Sequence, residues 1–240
     1  TVIDTAINAG IYVIIDWHTH HAEDYQAEAI SFFQQMAATY GHHDNIIYEI
    51  YNEPLQISWP DIVKPYSEAV IAAIREIDPD NLIIVGTPTW SQDVHLAAQD
   101  PITGYDNIAY TLHCYAGNHT QWLRDRTTRA MADGIAIVAT EWGTFSVTSC
   151  TGAIEDETML WVNYLKQMGI MNCNWGIIDI DACSPLEKTA GSTGNWADSD
   201  LTPAGVFVRD IIRNWSDPPP PTPIPTPEPT PNPTGDGLSG

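Results

Sequence analysis

The chain has 240 residues, with 9 Lys+Arg against 31 Asp+Glu and a formal net charge of -22. It is long enough to bury one full-sized core. Its acidity argues against nucleic acid and against an anionic membrane surface, since both need a basic footprint. No apolar run reaches the roughly 18 residues of a transmembrane helix, so no membrane partner is expected.

Residues 1–9 read as the tail of a helix. A strand is predicted over Ile11–Asp16, then a helix over Ala27–Tyr40 and a strand over Ile46–Tyr51. A helix over Ile62–Ile77 and strands over Leu82–Val85 and Ile108–Cys114 follow. The series continues with a helix over Gln121–Asp133, a strand over Ile135–Thr140, a helix over Glu155–Met168 and a strand over Met171–Trp175. Pro203–Asn214 reads as a closing helix. The strands are apolar and β-branched with little alternation, as strands covered on both faces are. Asp78-Pro79-Asp80-Asn81 and Asp133-Gly134 supply stops before the next strand. Strand starts recur roughly every 30 residues, the length of a βα unit.

Six βα units in series predict an α/β fold, a (β/α)8 TIM barrel lacking its first two βα units in this chain. An open doubly wound sheet is the alternative, but no Gly-rich phosphate loop follows any strand. Residues 1–215 are read as one domain. Beyond it, 216–240 is a Pro/Thr-rich linker, whose alternating prolines favour an extended, semi-rigid spacer. Such a spacer implies a further module. Four cysteines, at 114, 150, 173 and 183, show no CxxC spacing, so a zinc site is not expected. Cys150 and Cys183 fall in polar loops and are expected to pair, while Cys114 and Cys173 lie in strands as buried thiols.

Function in a TIM barrel sits at the C-terminal strand ends. Here those ends read Asp16-Trp17-His18, Asn52-Glu53-Pro54, Thr87-Pro88-Thr89-Trp90, His113-Cys114-Tyr115, Glu141-Trp142-Gly143 and Asn174-Trp175-Gly176. A glutamate at the exit of a buried strand is costly unless paired. Two of them, Glu53 and Glu141, suggest the paired carboxylates that glycoside hydrolysis needs. Nine tryptophans and ten tyrosines offer flat faces for sugar rings, although most aromatics simply fill cores.

With Tyr12–His18, Tyr48–Pro54, His113-Cys114-Tyr115, Ala139–Gly143, Asn174-Trp175 and Gly194–Asp200 together, the chain resembles family 5 glycoside hydrolases over residues 1 to 214. It is most similar to their bacterial endo-β-1,4-glucanases. The resemblance implies a retaining double displacement on β-glucans such as cellulose, with no cofactor and no metal. It makes Glu53 the general acid/base, protonated at the start, and Glu141 the ionised nucleophile. Asn52 is then expected to bind the sugar 2-hydroxyl, Tyr115 to hydrogen-bond Glu141, and His113 to line the catalytic subsite. Trp175 is expected to stack under the sugar there, Trp90 to sit further along the cleft, and His18 to match the family's histidine after the third strand. A secreted, monomeric enzyme tethered to a module such as a carbohydrate-binding module is implied.

A β-mannanase or xyloglucanase on the same scaffold is the first alternative, and a catalytically inert glycan-binding barrel the second. His18-Thr19-His20-His21 also admits a metal-dependent amidohydrolase, but those barrels carry the pair on the first strand. The sequence departs from the family in two ways. No arginine falls at a strand end, and Trp175 is followed by Ile177-Ile178-Asp179-Ile180-Asp181 in place of a Lys and Glu. Asp179 or Asp181 could contact sugar, a surface loop being the simpler reading.

Overall fold

A computed structural model describes residues 2–150, 152–179, 184–191 and 194–215. Cys183, Asp181 and the whole of 216–240 lie outside the described residues. Six strands, β1 (Val13–Asp16), β2 (Ile46–Glu49), β3 (Leu82–Val85), β4 (Ile108–Tyr115), β5 (Ile137–Gly143) and β6 (Asn172–Asn174), form one sheet in chain order. Every pairing is parallel. Helices Gln26–Tyr40, Lys64–Arg75, Gln121–Ala132, Glu155–Met168 and Pro203–Arg213 are threaded between and after the strands. This is the wall of a partial (β/α)8 barrel. The sheet is curled: His18, just past β1, stacks on Trp175, just past β6, with ring centroids 5.6 Å apart and planes 12° apart. The segments that leave the first and last strands therefore bring these two rings together at the mouth.

Burial divides the apolar side chains into two layers. Phe33, Tyr48, Ile71, Leu112, Ala139 and Trp161 belong to the layer between strands and helices. Ile14, Ile47, Leu82, Ile84, Ala109 and Val138 form the smaller one inside the curl. Each fully buried Ile or Leu is worth about 1.5–3 kcal/mol over its exposed state. Moving along the strands toward their C-terminal ends, the next inward positions change character: Glu49, Thr111 and Thr140. Glu49 is 3% exposed, and both threonine hydroxyls donate to its Oε1, at 3.1 Å from Thr111 and 2.6 Å from Thr140.

Five of the six strands shift from their predicted bounds, β4 by one residue at its end and β6 by one at each end, and only β3 keeps both. β5 runs to Gly143, so Glu141 lies inside the strand and not beyond it. Its register explains why: Thr111 pairs with Val138 and His113 with Glu141, so three steps on β5 match two on β4. Against β6 the same stretch shows the same excess, from Ala139 to Trp142. The extra residue is a bulge. It interrupts the alternation of faces, so that Thr140 and Glu141 both turn inward while Trp142 returns to the outer layer. β2 stops at Glu49, because Ile50 and Tyr51 both swing into the outer layer, Ile50 while donating its N–H to Ile84 O. β1 starts at Val13. The β3–β4 crossover holds a helix of only six residues, Val94–Gln99. Cys150 is disulfide-bonded, while Cys114 is a buried free thiol and Cys173 a partly buried one. Among the described residues no helix is long and apolar enough to cross a membrane.

Burial, followed by the charge of Asp16, pushes the Glu49 carboxyl up to about 8. A raised carboxyl contributes its stability fully below the unfolded value near pH 4 and loses it as pH rises through about 8. Glu49→Gln keeps the acceptor oxygen but cannot ionise. Thermal and urea unfolding should therefore show the variant gaining on wild type between pH 5 and pH 8, by up to about 1.4 kcal/mol per pH unit. A constant gap across that range would refute the assignment of a buried, proton-holding Glu49.

Candidate active site

His113 is the hub of the strand-end cluster. It is 1% exposed, and its Nδ1 lies 2.8 Å from Glu53 Oε1 and 3.4 Å from Glu141 Oε2. Its Nε2 lies 2.9 Å from Thr140 Oγ1. Since the Thr140 hydroxyl gives its hydrogen to Glu49, its oxygen accepts from Nε2–H of His113. The tautomer is thereby set: Nε2 carries a proton, and Nδ1 shares one with Glu53. Glu53 receives a second histidine, His20, whose Nε2 lies 2.9 Å from Oε2. Tyr115 O–H donates to Glu141 Oε2 at 2.5 Å. Gly143, paired with Tyr115 in register, permits this: a Cβ there would lie 2.4 Å from the Tyr115 ring.

One carboxylate oxygen each from Glu53 and Glu141, with a ring nitrogen of His113, all lie within 4.8 Å of one another. The two carboxyls sit in different environments, in the opposite order to the expected one. Burial raises Glu53, but the hydrogen bonds and charge of His113 and then His20 outweigh it and leave its carboxyl below the usual range. Burial raises Glu141 and prevails over the opposing charge of His113 and the Tyr115 bond. Burial pulls His113 down, but Glu53, Glu141 and Glu49 around it win and hold the imidazole above its ordinary value. Tyr115 is held far above the phenol range by burial and by Glu141, so it stays a donor. Among the described residues no lysine or arginine pairs with these carboxylates.

The other predicted residues surround this centre. Asn52 is 2% exposed, directly before Glu53. His18 donates toward Asp16 at 2.7 Å, which raises it, and the charge of Glu141 adds to the shift. Trp175 is exposed and stacks on His18. Trp90 borders a cavity of about 580 Å³ shared with Glu53, His113 and Tyr115. Asp179 is exposed on the loop that follows. His18 and His20 are committed to different carboxylates, Asp16 and Glu53, and do not form a shared ligand cluster among the described residues. Sequence reasoning missed Glu49, Thr140 and His20. Glu49 carried a visible signal, since a carboxylate inside Ile46–Ile50 is as costly as one at its end. Thr140 carried none, because the bulge that turns it inward is not legible in the residues.

The cellulase family model, glycosyl hydrolase family 5, matches residues 1–179. Endoglucanase Z of Dickeya dadantii is 50% identical over 215 residues, covering 89% of this chain and 48% of its own length. An endoglucanase of Clostridium saccharobutylicum is 47% identical over 88% of this chain and 48% of its own. The chain thus spans about half the length of the curated relatives it matches. A solved structure from Cytophaga hutchinsonii aligns with a TM-score of 0.86 at 48% identity, over 88% of this chain and 70% of that one. The catalytic domain of Thermobifida fusca endoglucanase Cel5A, in complex with cellotetraose, aligns with a TM-score of 0.81 at 30% identity, over 88% and 72%. Through its matched residues and the strand-end glutamates of its curled parallel sheet, the chain belongs to the cellulase family, glycosyl hydrolase family 5.

Proposed function

We propose that this protein hydrolyses internal β-1,4-glucosidic bonds of cellulose and related β-glucans with retention of configuration. The observation that carries this is the close approach of the two glutamates, one oxygen of each lying within 4.8 Å of the other and of a His113 nitrogen. Retaining enzymes hold their two carboxyls about 5–5.5 Å apart, whereas inverting ones leave about 6.5–9.5 Å for a water. The names of the matched relatives, endoglucanases, support the substrate class.

Glu141 attacks the anomeric carbon as the glycosidic C–O bond breaks, and Glu53 gives its proton to the leaving oxygen. Water then attacks the glycosyl–Glu141 ester, losing its proton to Glu53. Tyr115 steadies the Glu141 carboxylate before attack and as it re-forms on hydrolysis. In the first step the proton must reside on Glu53, although the surrounding groups favour it on His113. A 2.8 Å contact between Nδ1 and Oε1 lets one proton serve both sites. His113 then stores the proton and Glu53 delivers it. Asn52 and Trp175 are assigned to the sugar 2-hydroxyl and ring face. The disulfide at Cys150 supports a secreted, oxidising setting. The Pro/Thr segment from 216 is read as a tether to a carbohydrate-binding module.

Glu141→Gln in the full-length protein should lower release of reducing ends from carboxymethylcellulose by more than ~10³-fold, about 4 kcal/mol of transition-state stabilisation. A folded variant that keeps its activity would sink the assignment. Thr140→Val removes the acceptor from His113 Nε2–H, which lowers the histidine's affinity for its second proton. The proton shared with Glu53 is then lost at lower pH, so the alkaline limb of the kcat profile moves toward acid. kcat should fall about 10-fold with KM little changed, and Thr140→Ser should restore the profile. An unmoved alkaline limb in folded Thr140→Val contradicts the shared-proton mechanism.

A further inference from the structure

The cavity of about 580 Å³ lies on the Glu53 side of the site; Glu141 and Trp175 are not among its lining residues. Two indoles border it, Trp90 and Trp122. Trp122 stands in the first turn of the helix Gln121–Ala132 and is 41% exposed. It lines the same cavity as Glu53. Its ring is nevertheless fixed. Arg126, one turn along the same helix, sets its guanidinium 4.9 Å from the ring centroid. His119 meets the ring edge-on at 5.9 Å and 75°.

Arg126 also ties Trp122 to Trp90. Its guanidinium pairs with Asp93, and Asp93 accepts from the Thr89 hydroxyl at 2.6 Å. Thr89 opens the turn that presents Trp90. In that turn Thr89, Trp90 and Ser91 have φ of 61°, 53° and 57°. Left-handed backbone at non-glycine residues costs on the order of 1–3 kcal/mol each and persists where the fold over-determines it. Here Trp90 N–H donates to Pro54 O at 2.8 Å, and Thr89 N–H to Leu55 O at 3.0 Å. A polar strut thus links the two indoles, and Trp90 is anchored on the loop that carries Glu53.

We infer that Trp122 is a sugar platform which, together with Trp90, grips the leaving-group end of a β-linked pyranose chain. The inference rests on the function proposed above: if Glu53 protonates the leaving oxygen, the departing sugars lie against Glu53, and that is where this cavity opens. The chemistry fits a neutral, hydroxylated ring. Indole faces take its C–H face. Gln92, Asn118 and Thr148 add hydrogen-bonding groups to a lining that is otherwise largely apolar, and no lysine is among its residues. His119 accepts the Tyr115 N–H on Nδ1 at 2.8 Å, so its Nε2 carries the proton and can donate. Burial and the neighbouring His113 push His119 down to about 4, so it is neutral near neutrality.

The test compares substrates that differ only on the leaving side. With cellohexaose, Trp122→Ala in the full-length enzyme should lower kcat/KM about 10-fold, or about 1.4 kcal/mol. The loss should be at least about fivefold larger than with an aryl β-cellobioside, whose leaving group brings a single ring and no sugar chain into the cavity, and Trp122→Phe should recover most of it. Equal losses on both substrates, or none on either, in a protein with unchanged thermal unfolding would overturn the inference. Calorimetry supplies an arm independent of turnover. In a Glu141→Gln background, Trp122→Ala should weaken cellohexaose binding about 10-fold, and unchanged binding overturns the platform. Wild-type protein that cleaves neither substrate refutes the glycosidase reading, while the calorimetric comparison still decides on Trp122.

Discussion

A single buried imidazole organises the acidic mouth of this barrel. Glu49, Glu53 and Glu141 converge with no lysine or arginine to balance them among the described residues, and His113 touches or screens all three. Carboxylates this close repel in a low-dielectric site unless a proton or a cation lies between them. His113 supplies that charge on demand, with one nitrogen on Glu53 and the other on a hydroxyl backed by Glu49. Each carboxyl takes its character from its distance to that ring and from its burial. The cluster is therefore one coupled acid, and its protons belong to the group as a whole.

The geometry of that cluster depends on one extra residue in β5. Strict alternation would send Glu141 into the layer with the helices and bring Trp142 to the mouth. The bulge places Thr140 and Glu141 inward in succession, one bonded to the interior chain of groups, the other to Tyr115. Neighbours along one strand thus serve two sides of the same histidine. Bulges re-aim side chains at functional rims, and here the re-aimed group is the assigned nucleophile.

The fold was legible to the extent that hydrophobic runs and their spacing reveal it. Leu82–Val85 matched residue for residue, because its flanking Asp-Pro-Asp-Asn and Gly86 leave no other boundary. β5 was misplaced at its end because apolar patterning stops at Ala139, while hydrogen bonding continues to Gly143. Glu53 and Glu141 stood out as carboxylates at apolar ends; Glu49 escaped attention although the same reasoning reaches it. The relative acidity of the pair was not legible. It is set by His20 and His113, which lie 33 and 60 residues from Glu53 in the chain. Trp122 showed nothing in the sequence beyond an indole at a helix start; only its cavity and its Arg126 backing distinguish it.

The left-handed turn at Thr89–Ser91 has a mechanical consequence. Trp90 N–H is bound to Pro54 O, and Ser91 Oγ to Asn52 O at 2.7 Å, so the turn is stitched to both sides of Glu53. Acid and indole travel as one rigid piece. Loop grafting that replaces this turn to widen the substrate range will displace Glu53, the proposed proton donor, too, linking a change of specificity to a loss of rate. Trp122 stands on a helix outside that piece, so directed evolution can vary it with far less drag on the chemistry.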